Sequence, residues 1–222
     1  SATGVERIRF ATSHPKDLTD EVIALFGELS NLMPALHLPV QSGSNRVLKE
    51  MNRRYTAEHY LELVKKVREA NPDVALSTDI IVGFPGETEE DFQATAQLVR
   101  EVGYGQVFTF IYSKREGTPA AKMDDPTPRE TIQRRFDELV DIVQEGAHEQ
   151  NQRFTGRVLD VLVEGTSKRD EDILAGRSPH NVTVHAPIPS GKTIEELEGT
   201  IVKVRIDESL TWYLSGEVVD GE

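Results

Sequence analysis

The chain has 222 residues and a mass of 24.8 kDa, room for one large or two small domains. Its hydrophobic fraction of 37% is enough for a packed core, and no run approaches the roughly 18 apolar residues of a membrane span. Zero cysteines exclude disulfides, thiolate nucleophiles and Cys-ligated iron–sulfur clusters in the chain as given. A net charge of −13 opposes nucleic acid as a partner unless local features overturn it.

The first 122 residues alternate strand and helix signals. Val5 to Ala11 alternates with period two and predicts a strand, followed by a helix over 17–29. Leu36 to Val40 predicts a second strand. Ser44 is placed to cap a helix over 45–51, and Thr56 one that runs to about Ala70. Val74 to Gly83 predicts a third strand, and its Ile80-Ile81-Val82 run reads as buried on both faces. Thr88 caps a helix over 89–102, and Gln106 to Tyr112 is the fourth strand. Strands alternating with helices imply βαβ units and a parallel sheet. A closed eight-stranded barrel typically takes about 250 residues. Four strands therefore mean an open sheet or an incomplete TIM-like (β/α) barrel.

A Pro- and Asp-rich stretch over 122–128 precedes a long helix from Pro128 to about Phe154, with Ile132, Phe136, Leu139, Val140 and Val143 as its apolar stripe. Beyond it only strands are expected, over 158–164, 173–176, 182–185, 200–206 and 212–219, suggesting a small all-β OB-like barrel. The domain boundaries expected are 1–126, a connecting helix over 127–153, and 154–222. The N-terminus has no signal-peptide pattern, so the expected location is cytoplasmic, away from membranes.

All four α/β strands exit into polar loops on one edge, where ligands of parallel sheets bind. Gly83-Phe84-Pro85-Gly86-Glu87-Thr88 leaves a buried strand for a capped helix. It reads either as a ligand turn with free amide donors or as a tight strand–helix connection. In Gln41-Ser42-Gly43-Ser44, Ser44 reads as the cap, while Gln41 and Ser42 have no evident structural duty. His37 reads as a satisfied core residue. The histidines have no metal-ligand spacing, and no hydrolase constellation is legible.

Taken together, Leu36 to Ser44, Met51 to Thr56, Thr78 to Thr88 and Tyr112 to Thr118 closely resemble the MiaB family of radical S-adenosylmethionine tRNA methylthiotransferases. That resemblance implies the last four of six barrel strands, then a TRAM domain. The family's two [4Fe-4S] clusters would have their ligands upstream, with none in this chain, and catalytic and metal residues are accordingly expected to be none here. It implies S-adenosylmethionine as cofactor, with Val82 and Gly83 against the adenine and the backbone of Tyr112 and Ser113 reading its edge. Gln41, Ser42 and Ser13 would lie near the ribose and methionine. Arg54 is a candidate for the methionine carboxylate, and Asp79 would support from behind. In the TRAM part, Arg177 and Asn181, then Arg157 and Lys168, are the expected RNA contacts.

For the full enzyme the resemblance implies a reduced cluster that cleaves the cofactor to a 5′-deoxyadenosyl radical. Hydrogen is then removed from C2 of N6-isopentenyladenosine, and a methylthio group takes its place. The partner would be the tRNA anticodon stem-loop, the full protein a monomer, and the fragment inactive alone. Three alternatives stay open: a stand-alone RNA-binding module on an α/β scaffold, specificity for threonylcarbamoyladenosine, and a free-standing enzyme that holds a phosphorylated metabolite at the Gly83–Thr88 turn.

Overall fold

A computed structural model of the chain describes residues 4–12, 14–125 and 127–219. Two compact units divide between Gly146 and Ala147. The first is built from β1 (Ile8–Ala11), α1 (Asp20–Glu28), β2 (Leu32–His37), α2 (Asn45–Glu50), α3 (Ala57–Ala70), β3 (Ala75–Val82), α4 (Glu89–Val102) and β4 (Gln106–Ile111). The four strands form one parallel sheet in the order β1-β2-β3-β4. Most of a long helix, α5 (Arg129–Gln152), belongs here too, with Leu139, Ile142 and Val143 in the core.

Caps set the helix starts. Thr56 accepts from the His59 amide, and Thr88 and Asp91 form a reciprocal capping box at the start of α4. The β2 expectation was displaced: the strand starts before Pro34 and ends at His37. Proline is tolerated there because the β1–β2 register slips, with Ile8 opposite Leu32 but Phe10 opposite Leu36. Leu38 and Val40 lie beyond the strand yet are wholly buried. They are held because Thr78 donates to the Leu38 carbonyl and accepts from the Val40 amide.

A second correction concerns β3. Leu76, Thr78, Ile80 and Val82 are buried beneath the helices, whereas Ala75, Ser77, Asp79 and Ile81 are only half-buried. The register places Asp79 beside Phe108 and Ile81 beside Phe110, both exposed phenylalanines. One face of the sheet is therefore packed and the other open. His37 sits on that open face rather than in the core, with Nδ1 3.0 Å from the Ser77 hydroxyl and Nε2 3.6 Å from the Asp79 carboxylate.

The second unit holds β5 (Val158–Ser167), β6 (Asp170–Arg177), β7 (Thr183–Pro187), β8 (Ile201–Ser209) and β9 (Tyr213–Val218), closed into a barrel in the order β5-β6-β7-β9-β8. A one-turn helix, α6 (Ile194–Leu197), is too short for the sequence pattern to have shown it. Phe154, Val161, Leu174, Val184, Val204, Ile206 and Leu214 fill the interior. Closure removes the unpaired sheet edges that a small β domain would otherwise expose.

Candidate functional site

The carboxyl edge of the parallel sheet gathers the loops that the sequence singled out. After β2 the backbone turns at Gln41, whose φ of 70° lies in the left-handed region that side chains other than glycine rarely adopt. Backbone bonds fix it there: the Gln41 amide donates to Asp79 at 2.9 Å, and its carbonyl accepts from Ile81 at 2.9 Å. Gln41 is 8% exposed, yet its side-chain amide makes no hydrogen bond to the described residues.

The next three residues are structural. Ser42 is fully buried, its hydroxyl 3.1 Å from that of Thr95, while it also accepts from the Ser44 amide. The expectation that Ser42 has no structural duty is corrected: α4 supplies one. Gly43 donates to the Thr95 hydroxyl, and a Cβ there would lie 2.5 Å from the Ala94 carbonyl oxygen. Ser44 caps α2 and donates to Asp91 at 2.5 Å. Asp91 also accepts from Arg46 and from the amide and hydroxyl of Thr88. Burial works against ionising Asp91, but these donors together hold it well below the usual carboxylate range.

Gly83 follows β3 with φ of 72°, and a Cβ there would lie 2.7 Å from the Ile132 side chain. Its amide is not free. It donates to the Glu87 carboxylate at 2.9 Å, and that carboxylate lies 3.3 Å from Arg135 of α5. Both side chains are almost wholly buried. Burial pushes the Glu87 carboxyl up, opposed by the Gly83 amide and Arg135. Arg135 also donates to the Glu87 carbonyl at 2.9 Å and to Glu89 at 3.1 Å. Acidic side chains thus occupy the turn and the N-terminus of α4, so the phosphate-binding reading of Gly83–Thr88 is unsupported. Sequence reasoning missed Glu87 and Arg135. The available signal was a cation on an apolar stripe: Arg135 stands three residues after Ile132 and four before Leu139.

Along the edge, backbone bonds bring several candidates together. The Tyr112 amide donates to the Val82 carbonyl at 2.8 Å, and the Tyr112 ring meets Phe84 edge-on at 5.3 Å. The Tyr112 hydroxyl is buried without a hydrogen-bond partner among the described residues. Ser113 is exposed beside it. Gln41, Val82, Gly83, Tyr112 and Ser113 therefore form one continuous rim. Arg54 is exposed in the α2–α3 connection, whose Tyr55 donates to the Val40 carbonyl and packs its ring against His14. Asp79 is bonded to the rim through its carbonyl, which accepts from the Gln41 amide, while its side chain lies on the open face, four residues before Gly83. Ser13 lies outside the described residues.

The rim fits a polar ligand such as an adenosyl group on one observation, the buried Tyr112 hydroxyl without a hydrogen-bond partner among the described residues. The chain does not fit an iron–sulfur cluster, because it holds no cysteine to ligate one.

In the barrel, Arg177 donates to the Asn181 carbonyl at 3.3 Å and pairs with Glu164. Asn181 adopts φ of 64°. The Arg157 guanidinium lies 5.5 Å from the Phe154 ring centre, and that ring lies 4.6 Å from His180. Three of the four expected RNA contacts thus share one end of the barrel. Lys168 does not. It sits at the β5–β6 hairpin tip, six residues beyond Leu162 of the Leu162–Arg177 pair, about 20 Å along the strand.

Residues 2–99 match the radical SAM superfamily, and residues 152–219 match the TRAM domain. The chain is 50% identical over 216 residues to the tRNA-2-methylthio-N(6)-dimethylallyladenosine synthase of Bacillus cereus (strain B4264), covering 97% of this chain and 42% of that protein. It is 52% identical over 217 residues to the synthase of Clostridium botulinum (strain Alaska E43 / Type E3), covering 98% and 46%. The chain thus spans less than half the length of these curated relatives. Among solved structures, coproporphyrinogen III oxidase from Escherichia coli, a radical SAM enzyme, aligns with a TM-score of 0.53 at 18% identity, over 78% of this chain and 46% of that one. That likeness speaks for the fold alone. Residues 2–99 thus resemble the radical SAM superfamily, residues 152–219 resemble the TRAM domain, and nearly the whole chain is similar to part of the tRNA-2-methylthio-N(6)-dimethylallyladenosine synthases.

Proposed function

We propose that this chain is the C-terminal part of an enzyme that installs a methylthio group at C2 of N6-isopentenyladenosine beside the tRNA anticodon. One observation carries the reading: identity near 50% extends over 97% of the chain, through both units, to proteins that bear this activity in their name. The four-stranded sheet is then the latter part of an incomplete TIM-like barrel, and the second unit an OB-like TRAM barrel. The domain division proposed is 1–126, 127–153 and 154–222.

In this reading the rim binds S-adenosylmethionine. The backbone of Tyr112 and Ser113 hydrogen-bonds the adenine edge, and Val82 and Gly83 pack against the ring. Gly83 leaves room for the Ile132 side chain where a Cβ would stand, and the Glu87–Arg135 pair holds its backbone in place. The Gln41 amide is oriented toward the ribose and methionine, while Ser42 holds the turn from beneath through Thr95. Arg54 meets the methionine carboxylate, and Asp79 supports from the open face. When bound, S-adenosylmethionine supplies the radical chemistry, and the protein contributes position and exclusion of water. The clusters belong to the remainder of the full enzyme, so the chain alone is inactive. The full enzyme acts as a cytoplasmic monomer on the anticodon stem-loop, with Arg157, Arg177 and Asn181 on RNA.

Complementation tests this. The full gene carrying the segment is placed in bacteria that lack tRNA methylthiolation, and digested tRNA is read by mass spectrometry. The expected product is N6-isopentenyladenosine with hydrogen replaced by methylthio. Methylthio on threonylcarbamoyladenosine instead would reassign the substrate, and unmodified tRNA would overturn the reading.

A further inference from the structure

The two ends of the barrel differ in charge, and one is the more acidic. At one end meet the α5–β5 connection, the β6–β7 connection and the β8–β9 connection. Asn151 donates to the carbonyls of Leu210 and Thr211, the Phe154 ring contacts His180, and Thr183 pairs with both Arg177 and Tyr213. This end carries Arg153, Arg157 and Arg177 together with Asp207 and Glu208 on β8 and with Glu164, which pairs with Arg177. The opposite end carries the β5–β6 hairpin tip and the β7–β8 connection, where Ile173 pairs with Pro187. There Asp170, Glu171, Asp172, Glu195, Glu196 and Glu198 outnumber Lys168, Arg169 and Lys192. The ten residues of β5 span about 30 Å, well beyond the roughly 10 Å screening length at 0.1 M salt. The acidic excess of the opposite end is therefore screened from the arginine end.

That same end exposes aromatic surface. Trp212 is 52% and Tyr213 37% exposed, and the Tyr213 ring lies 4.9 Å from His185 at 41°. Burial lowers the His185 pKa, which leaves the imidazole neutral and able to stack at pH 7. An exposed indole and phenol at the barrel end that also carries Arg157 and Arg177 is poor chemistry for facing water alone. It suits an unpaired base, whose π face stacks on the rings while its phosphates meet the arginines.

We propose that the arginine end of the barrel is an RNA-contacting platform on which Trp212 and Tyr213 stack an unpaired base and Arg157 and Arg177 engage the neighbouring phosphates. This rests on the reading that tRNA is the partner, and goes beyond it in naming the face, the stacking residues and the single-stranded character of the contacted nucleotides. It also removes Lys168 from the contact set.

Trp212 is the single tryptophan of the chain, so its emission reports the site directly. The 222-residue chain is titrated with an anticodon stem-loop RNA and with a blunt RNA duplex of equal length. The loop RNA is expected to quench Trp212 saturably, and the duplex to quench it little. Trp212→Ala is expected to weaken loop binding about 5- to 150-fold, read by anisotropy of labelled RNA, the range that loss of one stacking side chain produces. Trp212→Phe should retain most of the affinity, and Lys168→Ala should change it less than about twofold. Circular dichroism checks that each variant is folded. Tight loop binding with unchanged emission and no effect of Trp212→Ala would overturn the platform and leave tRNA as partner. Equal quenching by the duplex would overturn the unpaired base. Binding of neither RNA would overturn the platform and the RNA reading of the barrel together.

Discussion

The Glu87 carboxylate reaches back across its own turn to accept the amide hydrogen of Gly83 at 2.9 Å. The acceptor is buried with Arg135, whose guanidinium also lies 6.0 Å from the Phe92 ring centre. One ion pair therefore shapes the loop that leaves β3. Removing one partner strands a buried charge, which typically costs about 3–5 kcal/mol. Arg135→Ala is expected to destabilise the first unit by that order, measured as the urea midpoint followed by circular dichroism. Glu87→Gln keeps an acceptor for Gly83 and removes the buried carboxylate, so its cost should be clearly smaller. Equal costs would mean that the pair is not the element that holds the turn.

Gly43 sits against the backbone of α4, where a Cβ would lie 2.5 Å from the Ala94 carbonyl oxygen and 2.6 Å from Thr95 Cα. Neither atom belongs to a flexible side chain. Gly43→Ala should cost about 1–3 kcal/mol through overpacking and should displace Gln41 from the rim. Chemical denaturation measures the first effect, and S-adenosylmethionine affinity of the full enzyme the second.

Gln41 combines a left-handed backbone with a side chain that bonds to nothing in the described protein. Left-handed geometry costs a residue with a Cβ roughly 1–2 kcal/mol. Gln41→Gly should therefore leave stability unchanged or raised while it weakens S-adenosylmethionine binding in the full enzyme. A variant that loses stability and retains binding would assign Gln41 to the scaffold.

Acid sensitivity follows from Asp91. Its carboxyl is held below the ordinary value of 3.8, so the folded chain binds fewer protons there than the unfolded chain. The stabilisation is complete above pH 3.8 and is lost as pH falls below it. Glu87 acts with the opposite sign: its carboxyl is raised above 4.5, so its contribution diminishes as pH rises through that region. Asp91→Asn should lower stability at neutral pH and flatten the acid limb of a stability–pH curve. An unchanged acid limb would remove Asp91 as its cause.

Helices, caps and most strands of this protein were legible locally, because each depends on residues a few positions apart. Thr56, Thr88 and Ser44 announce helix starts by donor–acceptor chemistry within three residues. The exit of all four parallel strands into polar loops located the rim, and motif order with spacing carried the family resemblance. What no local pattern contains is the partner of each polar side chain. Ser42 and Gln41 are neighbours and look equally available in the sequence. Only α4, with Thr95 standing 53 positions away, satisfies one and leaves the other without a bond. The same holds for Arg135 against Glu87, 48 positions apart, and for three arginines dispersed through an acidic barrel sequence. Burial and pairing are set by contacts between distant segments, so tertiary structure alone decided which motif residues build the scaffold, which remain for a ligand, and where the positive charge collects.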